Sequence, residues 1–497
     1  MAVFFEHIVE ICSLLWYDGS IEKESLYMST ATLEQKQLKR REYLLNGNMW
    51  KVVVSIALPM VFYNLCNYFY GIYDMMLVQS AGIGDAADIV VLDQIKNMIS
   101  TIGGALATGG GIMVARYYGA KQIERAKKYA NTLFTLAMVV ALTTLVLIPL
   151  GVPFLKLFNT DQTIIDNSLG YFNVQILTLV VTTMNSAMIS MEKAKGNTKQ
   201  LLLLNLGVII IKVSLTTLFV YGPFENVTNT WLAVSTLLAQ LFLFGCGLFL
   251  CFRPSNILRV RIRDWGFGKE EVTSIVRLAV PVFIGNFLFN FGKVYVNSAA
   301  TVQYGKMCVG ALGISNTMAG LFTNITNTTA DCGATIVSQN YGNKNGARVR
   351  QFYKVNLVYV TLIGVLGTLI MFTAKEQVAA FFAPNSTEYQ EMIINIFAWE
   401  CFDIVFLGFS HTANALFNGF GKTRATMVFS MVRLFGLRVP VLLLLMHVVK
   451  MDYSACGVAM FASNTVIGVI QLAASALYCI KLKKHHPELF EMERSSL

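Results

Sequence analysis

Residues 110–121 read Gly-Gly-Ile-Met-Val-Ala-Arg-Tyr-Tyr-Gly-Ala-Lys, and residues 333–344 read Gly-Ala-Thr-Ile-Val-Ser-Gln-Asn-Tyr-Gly-Asn-Lys. At an offset of 223, Gly110, Val114, Tyr118, Gly119 and Lys121 meet Gly333, Val337, Tyr341, Gly342 and Lys344. Upstream, Pro59 pairs with Pro281, Asn64 with Asn286 and Tyr73 with Tyr295 at 222; downstream, Gly196, Thr198 and Lys199 pair with Gly421, Thr423 and Arg424 at 225. An offset that drifts by only three residues across this distance marks an internal repeat. The chain is expected to consist of two similar halves.

Composition says what the halves are made of. Of 497 residues, 55% are hydrophobic and 14% charged, and the apolar residues gather in runs such as Leu133–Leu150, Leu201–Val220 and Leu357–Phe372. A helix needs about 20 such residues to cross about 30 Å of hydrocarbon. Spans are predicted at 51–77, 89–115, 129–152, 169–191, 200–221 and 229–252, and again at 272–299, 307–337, 353–374, 392–417, 425–448 and 454–480. Twelve transmembrane helices make this an all-α polytopic membrane protein. Because the offset covers six helices, an even number, the two six-helix repeats are parallel, related by an axis along the membrane normal, and a central cleft between them is where substrate binds in such transporters. The expected divisions are a cytosolic N-terminal segment (1–50), a first lobe (51–252), a cytosolic linker (253–271), a second lobe (272–480) and a cytosolic tail (481–497).

The net charge of +10 follows membrane topology rather than nucleic-acid binding, because Lys and Arg lie in connections and not on one face. Connections 2/3, 4/5, 6/7, 8/9 and 10/11 carry eighteen Lys and Arg, whereas the opposite ones carry Lys156, Lys306, Lys375 and Lys450. Basic residues are retained in the cytoplasm, so both termini are expected there and the protein in the cell membrane. The first twenty residues are interrupted by Glu6, His7 and Glu10 with no basic region before them, which argues for an interfacial or cytosolic helix over a signal peptide. Nine scattered cysteines read as small buried hydrophobes without zinc spacing. No phosphate-binding loop, His-Glu-x-x-His or nucleophile elbow is present, so neither an enzyme nor a cofactor is expected, and no filter-like repeat points to a channel.

The ordered motifs resemble the multidrug and toxin extrusion (MATE) family over roughly residues 45–480. The resemblance rests on Ala57-Leu58-Pro59 followed by Tyr73-Asp74-Met75-Met76; on Gly109-Gly110-Gly111 leading into Ala115-Arg116-Tyr117-Tyr118-Gly119-Ala120; on Glu192-Lys193-Ala194-Lys195-Gly196-Asn197-Thr198 and its partner Phe417-Asn418-Gly419-Phe420-Gly421-Lys422; and on Arg438-Val439-Pro440, similar to the family's Arg-Ile-Pro. The resemblance implies two lobes around a central cleft and export of small organic cations or amphiphilic drugs in exchange for H⁺ or Na⁺, by a chain expected to act as a monomer among membrane lipids. The other reading keeps the architecture and moves a lipid-linked sugar or another amphiphile, which a cationic cleft with Lys212, Lys293 and Arg433 would favour.

An ionised side chain at membrane depth costs about 2.5–3.5 kcal/mol on insertion scales, so each one asks for a reason. Asp74 matches the first-helix aspartate of the family, and its repeat partner is Val296. It either takes up H⁺ or Na⁺, or caps an outer boundary. Many family members add Asn-x-x-x-Asp on the fifth helix; here the stretch reads Ile211-Lys212-Val213-Ser214-Leu215-Thr216. Lys212 thus stands where a bound cation is expected, either pairing with Asp74 or snorkelling to an interface, and the missing acid of the fifth helix tilts the coupling ion toward H⁺. Glu400 and Asp403 are three apart on the tenth helix and share a face, with Lys293 on the seventh; they hold an ion or cationic substrate, or pair with Lys293. Asp331 ends the polar run Thr323–Asp331 on the eighth helix and replaces Thr108 of the first repeat, making it a further ion candidate in a wet cavity. Asp93 and Lys96 are expected to pair with each other, and His411 and His447 to be hydrogen-bonded interior or interfacial residues. Phe62, Tyr63, Tyr68, Phe69, Phe287, Phe289 and Phe291 either line an aromatic cleft or face lipid.

Overall fold

The computed structural model describes residues 30–81, 86–157, 162–222, 228–384 and 386–490; the helix expected within the first twenty residues lies outside them. Among these residues the chain is helical throughout, with no strand. The helices are α1 (Thr30–Asn46), α2 (Met49–Ala81), α3 (Ala86–Gly119), α4 (Ile123–Thr144), α5 (Gly151–Leu157), α6 (Gln162–Ala194), α7 (Thr198–Tyr221) and α8 (Asn229–Phe252). After the linker come α9 (Lys269–Tyr304), α10 (Lys306–Gly342), α11 (Gly346–Phe382), α12 (Thr387–Glu400), α13 (Asp403–Gly419), α14 (Thr423–His447), α15 (Ala455–Ile480) and α16 (Leu482–His485). Ten described helices are long and apolar enough to cross a membrane, and the pair α12–α13 makes an eleventh if its two arms form one span. The 37-residue α10 is as long but fails that apolar measure, because Thr323–Asp331 is polar, as expected of a helix along a wet path.

Repeated positions owe their identity to the backbone geometry they share. Pro59 and Pro281 both lie inside helices, where each removes a ladder hydrogen bond. The turns after α3 and α10 place Lys121 and Lys344 at φ 60° and 56°, and those after α6 and α13 place Gly196 and Gly421 at φ 79° and 75°. Gly119 and Gly342 lie where α3 and α10 cross backbone to backbone. A Cβ at Gly119 would stand 2.5 Å from Gln339 Cα, and one at Gly342 would stand 2.8 Å from the carbonyl carbon of Arg116. Around this crossing Gln339 donates to Ala194 O at 2.6 Å, and the Arg116 guanidinium lies 4.5 Å from the centre of the Tyr341 ring.

Each half buries the start of its first helix in the other half. Met49, Val52, Ile56 and Met60 of α2 join a core with Ile336, Val337, Phe352 and Leu416, while Ile275 and Leu278 of α9 join one with Val114, Tyr118 and Leu133. The seam therefore sits on the face that carries the basic connections. The segment before the first span forms α1 on that face. Gln37 accepts from Tyr118 Oη at 3.1 Å and from Ile257 N at 3.1 Å, and Leu44 is buried and accepts from Arg348 at 3.4 Å. At the other end of the chain Leu489 and Phe490 are buried beside Gly346.

Candidate functional site

A break in a helix creates the main polar centre. The single tenth helix expected from the sequence bends by 46° between α12 and α13, so Glu400 and Asp403 flank the break instead of sharing one helical face. Glu400 ends α12 and Asp403 begins α13, which puts Glu400 at the negative and Asp403 at the positive end of a helix dipole. Both carboxylates are buried. The Ser315 hydroxyl of α10 donates to Glu400 Oε2. Asn464 of α15 donates to Asp403 Oδ2 at 2.7 Å, while Asp403 Oδ1 is buried with no partner.

Behind this pair stands Arg438, buried and donating to Ser463 Oγ at 3.1 Å and to Asn464 Oδ1 at 2.8 Å. The guanidinium thus polarises the same amide that holds Asp403. It is carried by a π-helical segment of α14, Val432–Arg438. In a regular helix residues five apart point about 140° away from each other, whereas the i→i+5 ladder of a π-helix brings them round toward one side. That irregularity sets Arg433 and Arg438 beside one ring: their guanidinium carbons lie 4.1 Å and 6.0 Å from the centroid of Phe289 on α9. The Lys293 ammonium lies 5.0 Å from the same centroid.

No ion pair within 4.0 Å joins Lys293 to Glu400 or Asp403 among the described residues. The Lys293–carboxylate pairing held open from the sequence is therefore not the arrangement found. Asp331 is exposed on α10. One turn away, Thr328 accepts from Asn64 of α2 at 2.6 Å. Asn286, the repeat partner of Asn64, is exposed, and the residue matching Thr328 is Ala105, which offers no hydroxyl. Asp74 lies on α2, but its side chain is outside those described. The Lys212 ammonium lies 4.1 Å from the Tyr70 ring centre, and Tyr70 precedes position 74 by one turn.

The matched region of the first half holds a different polar network. Asp93 pairs with Lys96 at 2.6 Å, as expected, and also accepts from Tyr171 Oη at 3.0 Å, which in turn accepts from Gln175 at 2.9 Å. Gln175 is the repeat partner of Glu400 at offset 225. His411 is held by Thr326 at 2.8 Å, and His447 is exposed at the end of α14. A cavity of about 760 Å³ lies away from all of this, under the linker, lined by Lys127, Lys128, Arg259 and Glu271. Leu38, Ile123 and Ile257 also line it, so it mixes charged side chains of the basic face with apolar ones. Among the described residues no group of three or more His, Cys, Asp or Glu is placed to hold a metal ion. Sequence reasoning missed Ser315, Ser463 and Asn464. It cited Arg438 only as part of a motif, although an arginine inside an apolar run was already a signal.

The MatE family model matches residues 59–218 and again 281–444. The two matches begin 222 residues apart, the offset of the paired prolines. The probable multidrug resistance protein YoeA of Bacillus subtilis (strain 168) is 19% identical over 414 residues, covering 82% of this chain and 89% of that protein. The multidrug export protein MepA of Staphylococcus aureus (strain MRSA252) is 19% identical over 349 residues, covering 69% and 76%. Among solved structures, the outward-facing conformation of a multidrug resistance MATE family transporter of the MOP superfamily superposes with a TM-score of 0.83 at 17% identity, over 89% of this chain and 98% of that one. At that identity the likeness is one of fold.

Proposed function

We propose, for a chain that belongs to the MatE family and is thus a multi-pass membrane transporter rather than an enzyme, that it exports small amphiphilic organic molecules in exchange for H⁺. The names of the curated relatives support multidrug export. The observation that carries the coupling assignment is the buried pair at the α12–α13 break, with Glu400 held by Ser315, Asp403 held by Asn464, and Asp403 Oδ1 without a partner. An unpartnered acceptor in a buried site is costly, and an entering proton satisfies it. H⁺ is favoured over Na⁺ because Arg438 already occupies the cationic place beside Asp403 through Asn464.

Alternating access is the motion we infer. Closure on the basic face, taken as cytosolic, rests on the α3–α10 crossing, and separating Gly119 from Gln339 and Gly342 from Arg116 opens it. Asp74 and Lys212 form a second proposed coupling region in the first half, and Asp331 a waypoint beside the seam.

The test is transport by the full chain in vesicles with imposed H⁺ or Na⁺ gradients, followed with amphiphilic dyes that include an organic cation. Glu400→Gln and Asp403→Asn should abolish gradient-driven movement while dye binding persists. Absence of any driven movement in the wild type sinks the exporter reading. If only Asp74→Asn stops transport, coupling belongs to α2 and not to the helix break.

A further inference from the structure

Lys293 and Arg433 are not used by the coupling pair, and their cost at membrane depth is high. Neither makes a hydrogen bond or ion pair among the described residues, and Arg433 Nε is buried with no acceptor. Both instead lean on one aromatic ring, Phe289, at 5.0 Å and 4.1 Å from its centroid. No acid among the described residues lies within ion-pair distance, 4.0 Å, of either cation. Arg438 adds a third positive charge, but its donors are taken by Ser463 and Asn464. Lys293 is exposed and Arg433 half-buried, and Phe291 on α9 and Phe435 on α14 are 51% and 41% exposed, so free donors lie beside accessible apolar surface. An aromatic face attracts a cation but gives it no hydrogen-bond acceptor. The π-helical segment that turns Arg433 toward Phe289 is an irregularity often found at functional sites.

From this juxtaposition we infer that Lys293 and Arg433 form a binding site for an oxyanion group, carboxylate, sulfonate or phosphate, borne on an apolar body. The inference rests on the transport reading and deepens it. The transported amphiphile carries an anionic group, which the guanidinium fork and the ammonium bind while the aromatic rings cover the rest. A phospholipid headgroup offers the same oxyanion chemistry, so the test must separate the two sources.

Binding is measured without any gradient, so that a failure here is distinct from a failure of transport. The purified full chain in neutral detergent is titrated with naphthoate and with its uncharged amide. The carboxylate should bind at least about tenfold more tightly than the amide, the range expected for hydrogen bonds to charged groups. Lys293→Gln and Arg433→Gln should each weaken naphthoate by about tenfold or more and leave the amide unchanged, which excludes a folding defect, while Lys293→Arg retains naphthoate binding. Equal binding of acid and amide, or undiminished naphthoate binding by Arg433→Gln, overturns the site. Phosphatidylglycerol is then added as competitor: displacement of naphthoate by the lipid, with no naphthoate transport in vesicles, overturns the substrate assignment in favour of a lipid site. Naphthoate movement that is lost in Lys293→Gln supports it.

Discussion

Adding one methyl group at Gly342 tests the seam directly. The Cβ of alanine there would overlap the carbonyl oxygen of Arg116 and lie 2.8 Å from its carbonyl carbon and 3.1 Å from Ala120 N. All three are backbone atoms of α3 or the turn that follows it, so no rotamer can relieve the clash; α3 and α10 must separate. Overpacking of this kind costs typically about 1–3 kcal/mol, a change of about 5- to 150-fold in the ratio of closed to open seam. Gly313 on the same helix is the control, because nothing stands within 4 Å of its Cβ position and alanine is the better helix former there by up to about 1 kcal/mol. Spin labels at Gln122→Cys and Ala347→Cys, both exposed on the basic face on opposite sides of the seam, report the separation by pulsed electron resonance. Gly342→Ala should shift the distance distribution to longer values and lower the thermal midpoint; Gly313→Ala should do neither. An unchanged distribution in Gly342→Ala would refute the proposal that this crossing is the closing contact.

Two further predictions concern polar contacts. Glu192 and Lys195 form a buried pair at 2.6 Å with side chains 6% and 3% exposed, and Lys195 also donates to Asn256 of the linker at 2.9 Å; Glu192→Gln should destabilise by about 3–5 kcal/mol and the double replacement Glu192→Leu with Lys195→Met by much less in denaturant unfolding, a contrast that fails if the single change costs under about 1 kcal/mol. Thr328→Val removes the acceptor of the 2.6 Å bond from Asn64 and should cost about 1–3 kcal/mol in denaturant unfolding, whereas Asn286→Leu, exposed and without a hydrogen bond at the matched place in the other half, should cost nothing measurable; equal effects would show that the α2–α10 contact carries no special load.

The order of the helices, the paired prolines and the near-identical turns were legible in the residues. Apolar runs separated by basic connections and an offset near 223 need no knowledge of contacts, since solvent and chain geometry act locally. The spans run longer than their apolar cores because helices continue into polar ends, as α10 does through Tyr341 and Gly342. Glu400, Asp403, Lys293 and Arg433 could each be picked out by charge alone. Their arrangement could not. Whether Glu400 and Asp403 share a face depended on a 46° break at Cys401 and Phe402, and whether Arg433 meets Phe289 depended on a π-helical register at Val432–Arg438. Both are settled by packing against α9, α10 and α15. The sequence by itself therefore determined the duplicated membrane frame and which charges it must accommodate. Only the tertiary structure decided which charges meet, because a single irregular turn rotates a side chain from one neighbour to another without altering any pattern that can be read along the chain.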